Sequence, residues 1–183
     1  MPLSSHLKTQ TLLLGGARSG KSNYAEKQAI ESGLERIYIA TAKVLDNEMK
    51  QRVSRHKEDR ASYQWTTIEE PLALANCLQQ WASPERVIVV DCLTMWVTNL
   101  LSEEPNTLKQ EVDALLNSLK TLTGEIIFVS NEVGMGIIPM GELTRLFVDE
   151  IGRLHQQIAK EVDNVTLMVA GLPHRIKSNG ETL

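Results

Sequence analysis

Apolar residues fall into two rhythms along this chain. One is a set of short, near-continuous runs at Thr11 to Leu14, Arg36 to Ala40, Arg86 to Val90, Glu125 to Val129 and Val165 to Val169. Val87-Ile88-Val89-Val90 places apolar side chains on both faces of the pleat, as a parallel strand covered on both sides requires. The other is helical spacing of apolar positions over Lys21 to Glu31, Asp46 to Arg60, Pro71 to Ala82, Leu93 to Leu101, Thr107 to Leu122 and Glu142 to Asp163. Pro71 suits a first helical position, where a missing N–H costs nothing, and Gly124 suits a left-handed helix end. The alternation predicts an α/β fold: a mostly parallel sheet with helices on both faces. There is no repeat, low-complexity tract or Gly/Ser linker, so one domain is expected over residues 1–183, with polar residues 1–10 as a flexible extension. Such sheets bind ligands at the carboxyl ends of their strands, which directs attention to the run-ends.

The first run leads directly into Gly15, Gly16, Ala17, Arg18, Ser19, Gly20, Lys21 and Ser22. This matches G-x-x-x-x-G-K-[ST], with a strand pattern before it and a helical pattern after it, and so predicts a P-loop nucleotide-binding fold. Glycines permit a turn whose N–H groups point at phosphate oxygens, and the helix that follows adds its positive end. In such a loop Lys21 reaches the β- and γ-phosphates, and the Ser22 hydroxyl ligates Mg2+. At average residue usage the pattern arises by accident in roughly one chain in a hundred of this length. The plain alternative is a Gly-rich turn with a solvated lysine. The third run ends at Asp91, where an acid can hold a metal-bound water beside Ser22; strand-end Asp residues also commonly cap the next helix. The fourth ends in Ser130-Asn131-Glu132, with Glu132 equally readable as a turn residue.

Composition narrows the class. Lys and Arg total 19 against 23 Asp and Glu, a net charge of -4, which argues against nucleic acid as a partner. Cys77 and Cys92 are too few for a disulfide framework or a cysteine zinc site, so a reduced, cytoplasmic setting is expected. Near the start, Leu12-Leu13-Leu14 is too short for a signal core or a membrane span.

The Asp46–Arg60 pattern carries a conflict. Leu45, Met49, Arg52, Val53, His56 and Arg60 fall within an arc of roughly 100° on a helix. That stripe is apolar early and cationic late, and burying Arg52, His56 and Arg60 without partners is costly. An anionic ligand resolves the conflict and makes His56 a candidate nucleophile or proton shuttle. A solvated or salt-bridged surface histidine is the bland reading of the same pattern. His6, His155 and His174 show no metal-ligand spacing.

Taken in order, Gly15 to Ser22, Tyr38-Ile-Ala-Thr41, Arg52-x-x-x-His56-x-x-x-Arg60 and Asn131-Glu-Val-Gly-Met-Gly-Ile137 resemble the bifunctional adenosylcobinamide kinase / adenosylcobinamide-phosphate guanylyltransferase family of cobalamin biosynthesis. The resemblance spans about Thr11 to Lys177. It implies phosphorylation of adenosylcobinamide by ATP or GTP, then transfer of GMP from GTP through a guanylylated histidine to give adenosylcobinamide-GDP. It further implies His56 as the guanylylated residue and Lys21 as catalytic. A nucleotide set follows from the same resemblance: Gly15 to Ser22, then Thr41, Ala42 and Lys43, then Lys57, Glu58, Asp59 and Arg60, and the acids Glu69 and Asp91. Mg2+ on Ser22 and Asp91, a corrinoid substrate and a homotrimer complete it. Where the family often reads Lys-Asp-Gly-Arg-Pro after the histidine, this chain has Lys57-Glu58-Asp59-Arg60-Ala61, which keeps the His-to-Arg spacing. The competing readings are a monofunctional P-loop kinase for a small alcohol and a nucleotide-switched binding protein. Absence of an Asn-Lys-x-Asp guanine motif weighs against the latter.

Overall fold

The computed structural model describes residues 8–43 and 63–183. Its strands are β1 (Lys8–Gly15), β2 (Glu35–Ala40), β3 (Thr66–Glu69), β4 (Arg86–Asp91), β5 (Gly124–Asn131), β6 (Asn164–Val169), β7 (Leu172–Ser178) and β8 (Glu181–Thr182). Its helices are α1 (Lys21–Glu31), α2 (Leu74–Trp81), α3 (Leu93–Leu101), α4 (Thr107–Ser118) and α5 (Glu142–Glu161). One eight-stranded sheet runs in the order β3-β2-β4-β5-β1-β6-β7-β8. Pairing from β3 through β6 is parallel, and β7 and β8 add an antiparallel margin.

Successive strand residues point to opposite faces, and here each face is covered. Leu12, Ile37, Ile39, Ile88, Val90, Ile126 and Phe128 pack with α2, α3, α4 and α5. Their neighbours Leu13, Tyr38, Val87, Val89, Ile127 and Val129 pack with Ala25 and Ala29 of α1. The expected parallel sheet with helices on both faces is therefore borne out, and the unbroken apolar runs are its cause. Small side chains at Ala25 and Ala29, both fully buried, bring α1 close to the sheet.

Several boundaries differ from the sequence reading. Strand β1 begins at Lys8 rather than Thr11, so residues 8–10 belong to the sheet. Gln10 is buried there, with its side-chain amide donating to the Leu119 carbonyl at 2.8 Å and its N–H to Asp163 at 2.8 Å. Pro71 does not start a helix. The Glu70 carboxylate instead accepts the N–H groups of Leu72 and Ala73 at 2.9 and 2.8 Å, holding a turn that delays α2 to Leu74. Helix α4 stops at Ser118, and Gly124 opens β5 with the expected positive φ of 82°. Strand β3 and the β7–β8 hairpin have no counterpart among the predicted elements. Asn179-Gly180, with φ of 50° and 85°, is the two-residue turn that closes that hairpin. The predicted helix from Asp46 to Arg60 lies outside the described residues.

Candidate active site

The turn between β1 and α1 is shaped by two glycines. A Cβ on Gly15 would stand 2.6 Å from the Met168 carbonyl oxygen and 2.7 Å from Ser19 Oγ, so a side chain there collides with the backbone of β6. Gly20 has φ +93°, a left-handed conformation that costs glycine little, and it packs against Gly171 in the β6–β7 turn. The Gly171 N–H donates to the Ser19 carbonyl at 3.0 Å, and the Glu132 N–H to the Gly15 carbonyl at 2.9 Å, so β5 and β6 both brace the loop. Gly16, Ala17 and Arg18 stand exposed at its mouth.

Lys21, the first residue of α1, folds back over the loop. Its ammonium donates to the Gly16 carbonyl at 2.6 Å and to Ser19 Oγ at 3.3 Å. Only 6% of the residue is exposed, and burial lowers its pKa from the usual lysine value while Asp91 and Cys92 pull it back up. A buried cation held by neutral oxygens is poised for an anion, because a phosphate satisfies it better than a carbonyl does. One residue on, the Ser22 hydroxyl donates to Asp91 Oδ2 at 2.7 Å. The tip of β4 therefore meets the start of α1 across β5.

Asp91 has a second partner that the sequence reading missed. The Tyr38 hydroxyl donates to the same Oδ2 at 2.8 Å. Tyr38 is the register partner of Val89, and Asp91 shares the face of Val89, so the ring and the carboxylate meet on the α1 side of the sheet. Knowing that β2 and β4 are neighbours would have revealed this pair; the strand pattern alone does not say so.

Other predicted residues are placed differently. Thr41 is fully buried: its hydroxyl donates to the Cys92 carbonyl at 2.7 Å and accepts the Cys92 N–H at 2.9 Å, while its carbonyl accepts Asn99 Nδ2 at 2.7 Å. It clamps the tips of β2 and β4 together. Ala42 follows it, and Lys43 forms a 2.7 Å ion pair with Glu103 beyond α3. Glu69 ends β3 in register with Ala40, in the same row as Asp91, but β3 stands four strands from β1, roughly 19 Å at ordinary strand spacing. His56, Lys57, Glu58, Asp59 and Arg60 lie outside the described residues.

At the β5 tip, Glu132 is the turn residue of its plainer reading, its carboxylate accepting the N–H groups of Gly134 and Met135 at 2.8 and 3.1 Å. Asn131 Nδ2 donates to Thr94 Oγ1 at 3.2 Å. Beneath them His155 of α5 shares a 2.7 Å hydrogen bond with buried Ser130. Burial lowers the His155 pKa to about 4 against a smaller opposing pull from Glu132, so the ring is neutral at pH 7. Among the described residues no group of three or more His, Cys, Asp or Glu side chains gathers as a metal cage. What the structure does bring together is the loop, Lys21, Ser22 and Asp91.

Comparison with known proteins accounts for that arrangement. Residues 11–176 match the family described as cobinamide kinase / cobinamide phosphate guanyltransferase. The bifunctional adenosylcobalamin biosynthesis protein CobP of Pseudomonas aeruginosa is 53% identical over 173 residues, covering 94% of this chain and 98% of that one. The bifunctional adenosylcobalamin biosynthesis protein CobU of Escherichia coli is 35% identical over 180 residues, covering 91% of this chain and 98% of the relative. Among solved structures, the flagellar accessory protein FlaH of Methanocaldococcus jannaschii superposes with a TM-score of 0.54 at 16% identity, over 96% of this chain and 82% of that one, a likeness of fold alone. With its phosphate loop in place and the family matched over nearly all its length, the chain belongs to the cobinamide kinase / cobinamide phosphate guanyltransferase family.

Proposed function

We propose that this chain performs two successive transfers at one nucleotide site. In the first, the aminopropanol hydroxyl of adenosylcobinamide attacks the γ-phosphorus of ATP or GTP. The new O–P bond forms as the bond to the β,γ-bridging oxygen breaks, the nucleoside diphosphate leaves, and the hydroxyl proton passes to solvent. In the second, an imidazole nitrogen of His56 attacks the α-phosphorus of GTP and pyrophosphate leaves. A phosphate oxygen of adenosylcobinamide phosphate then displaces the histidine, giving adenosylcobinamide-GDP and the free imidazole. Splitting nucleotidyl transfer in this way replaces one difficult displacement by two with good leaving groups.

The observation that carries this reading is the juxtaposition of Lys21, Ser22 and Asp91 at the mouth of the Gly15–Gly20 loop. Family membership supports the corrinoid and both transfers. Lys21 offers charge to the β- and γ-phosphates, and the loop N–H groups orient them. Lys43, Lys57, Glu58, Asp59, Arg60 and Glu69 complete the proposed nucleotide set, with Thr41 and Ala42 shaping the β2 end of it. Mg2+ suits the donor set. The Ser22 hydroxyl proton is directed to Asp91, which leaves an Oγ lone pair for the cation, and Mg2+ is ordinarily held by one or two protein groups plus phosphates rather than by a cage. When bound, it neutralises charge developing on the transferring phosphate. A single domain in the cytoplasm, acting as a homotrimer, is part of the same proposal.

Incubation with Mg2+ and α-labelled GTP, followed by denaturation, tests the second transfer. The expected result is an acid-labile, alkali-stable label on the chain that His56→Ala eliminates. A monofunctional kinase would instead show γ-phosphoryl transfer that survives His56→Ala and no trapped nucleotide.

A further inference from the structure

Tyr38 occupies a position that neither transfer explains. It is 5% exposed within β2, its ring packs edge-on to Trp65 with centroids 6.0 Å apart at 86°, and its hydroxyl reaches the strand-end acid of the neighbouring β4. A tyrosine needed only for packing beside Val87, Val89 and Ala25 would serve as well without its hydroxyl.

We propose that Tyr38 is a positioning residue for the divalent cation: with Ser22 it fixes one oxygen of Asp91 and so presents the other, Oδ1, toward the cation's water shell. This deepens the metal reading above and rests on it. Ser22 Oγ and the Tyr38 hydroxyl both donate to Oδ2, at 2.7 and 2.8 Å. An ionised carboxylate oxygen accepts about two hydrogen bonds in its plane, so Oδ2 is saturated and the carboxylate cannot rotate without losing both. The donors arrive from different elements, α1 and β2. Ser22 must also offer a lone pair to the cation, and it holds its orientation only while Asp91 holds its own. The tyrosine, anchored in the sheet, supplies part of that orientation from an element other than the phosphate loop and α1. The main-chain end of the same strand is tied independently, through Thr41 and Cys92. Tyr38 therefore governs the carboxylate and not the course of the backbone.

The test is a Mg2+ titration of the full-length protein with a fluorescent N-methylanthraniloyl GTP as probe, on wild type, Tyr38→Phe and Asp91→Asn. Phenylalanine keeps the ring and its contact with Trp65, and circular dichroism checks that the fold is retained. Tyr38→Phe should raise the half-saturating Mg2+ concentration about two- to tenfold, the range that one hydrogen bond spans. Its affinity for the probe in excess chelator should equal that of wild type. An equal loss of affinity with and without Mg2+ would reveal a merely structural role and overturn the proposal. So would an unchanged Mg2+ midpoint in Tyr38→Phe when Asp91→Asn abolishes the Mg2+ response; the site itself would then stand. A Mg2+ response that persists in Asp91→Asn would overturn the metal assignment and this inference together.

Discussion

Lys21 and His155 illustrate how burial decides what an ionisable side chain does. Both are withdrawn from water, and burial lowers the pKa of each. Lys21 donates to the Gly16 carbonyl and Ser19 Oγ of the phosphate loop and can exchange these neutral partners for a triphosphate. Lys21→Ala should therefore reduce kcat/KM for phosphoryl transfer by about 10²- to 10³-fold, as loss of a preorganised donor does, measured with labelled ATP and adenosylcobinamide. His155 instead shares its hydrogen bond with buried Ser130. Its folded pKa of about 4 lies below the unfolded 6.5, so the unfolded chain takes up the proton first. The stability contributed by the neutral ring is complete above pH 6.5 and is lost as pH falls from 6.5 toward 4. The loss is on the order of 3 kcal/mol over that window. Denaturant titrations from pH 7 to pH 4 should show it in wild type and a smaller acid-side decline in His155→Gln. Burial pushes the Cys77 thiol up to about 11 and raises Cys92 as well, which disfavours the thiolate form of each.

Among the elements, the decisive feature is where strands end. Parallel strands align their carboxyl ends, and here those ends are cross-tied: β1 to β5 through Gly15 and Glu132, β2 to β4 through Thr41 and Cys92, and β4 to α1 through Asp91 and Ser22. The loop keeps its shape because β6 lies against Gly15. Gly15→Ala drives a methyl into the Met168 carbonyl, and because that atom is main chain, β6 must move. The expected cost is about 1–3 kcal/mol, a fall of roughly 2–4 °C in melting temperature per kcal/mol, with weaker nucleotide binding alongside. Calorimetry with and without GTP measures both. The elements that escaped the sequence reading are short or marginal. Strand β3 has Thr66-Thr67-Ile68-Glu69, without an apolar run, and owes its extended form to pairing with β2. The β7 strand carries Pro173 and His174 and pairs on one side with β6; its clearest signal was the Asn179-Gly180 turn beyond it. Glu70 shows the converse case, where a carboxylate in a turn outweighs the helix-starting preference of Pro71.

On the scale of the molecule, several large apolar side chains are left exposed. Met135, Ile137, Ile138 and Met140 follow the β5 tip at 77, 98, 78 and 96% exposure, and Leu143, Val169 and Leu172 are exposed as well. An isolated chain rarely leaves so many large apolar side chains in water. The proposed trimer offers them cover. Ile137→Glu combined with Met140→Glu should shift sedimentation from three chains of 20.4 kDa toward one, while the far-ultraviolet circular dichroism stays unchanged. A wild-type chain that sediments as a monomer at micromolar concentration would exclude the trimer. Among the described residues no helix is long and apolar enough to cross a membrane.

Local chemistry was legible in the chain itself. The G-x-x-x-x-G-K-S run names a phosphate loop because its conformation needs glycine at set positions, and the unbroken apolar runs name a doubly covered sheet because each residue must face something dry. The strand order was not legible, because periodicity reports which faces are buried and not which strand lies beside which. Only the fold placed β2 against β4 and laid α1 across β5, and through those neighbours alone did Tyr38, Ser22 and Asp91, far apart along the chain, come to share one carboxylate oxygen.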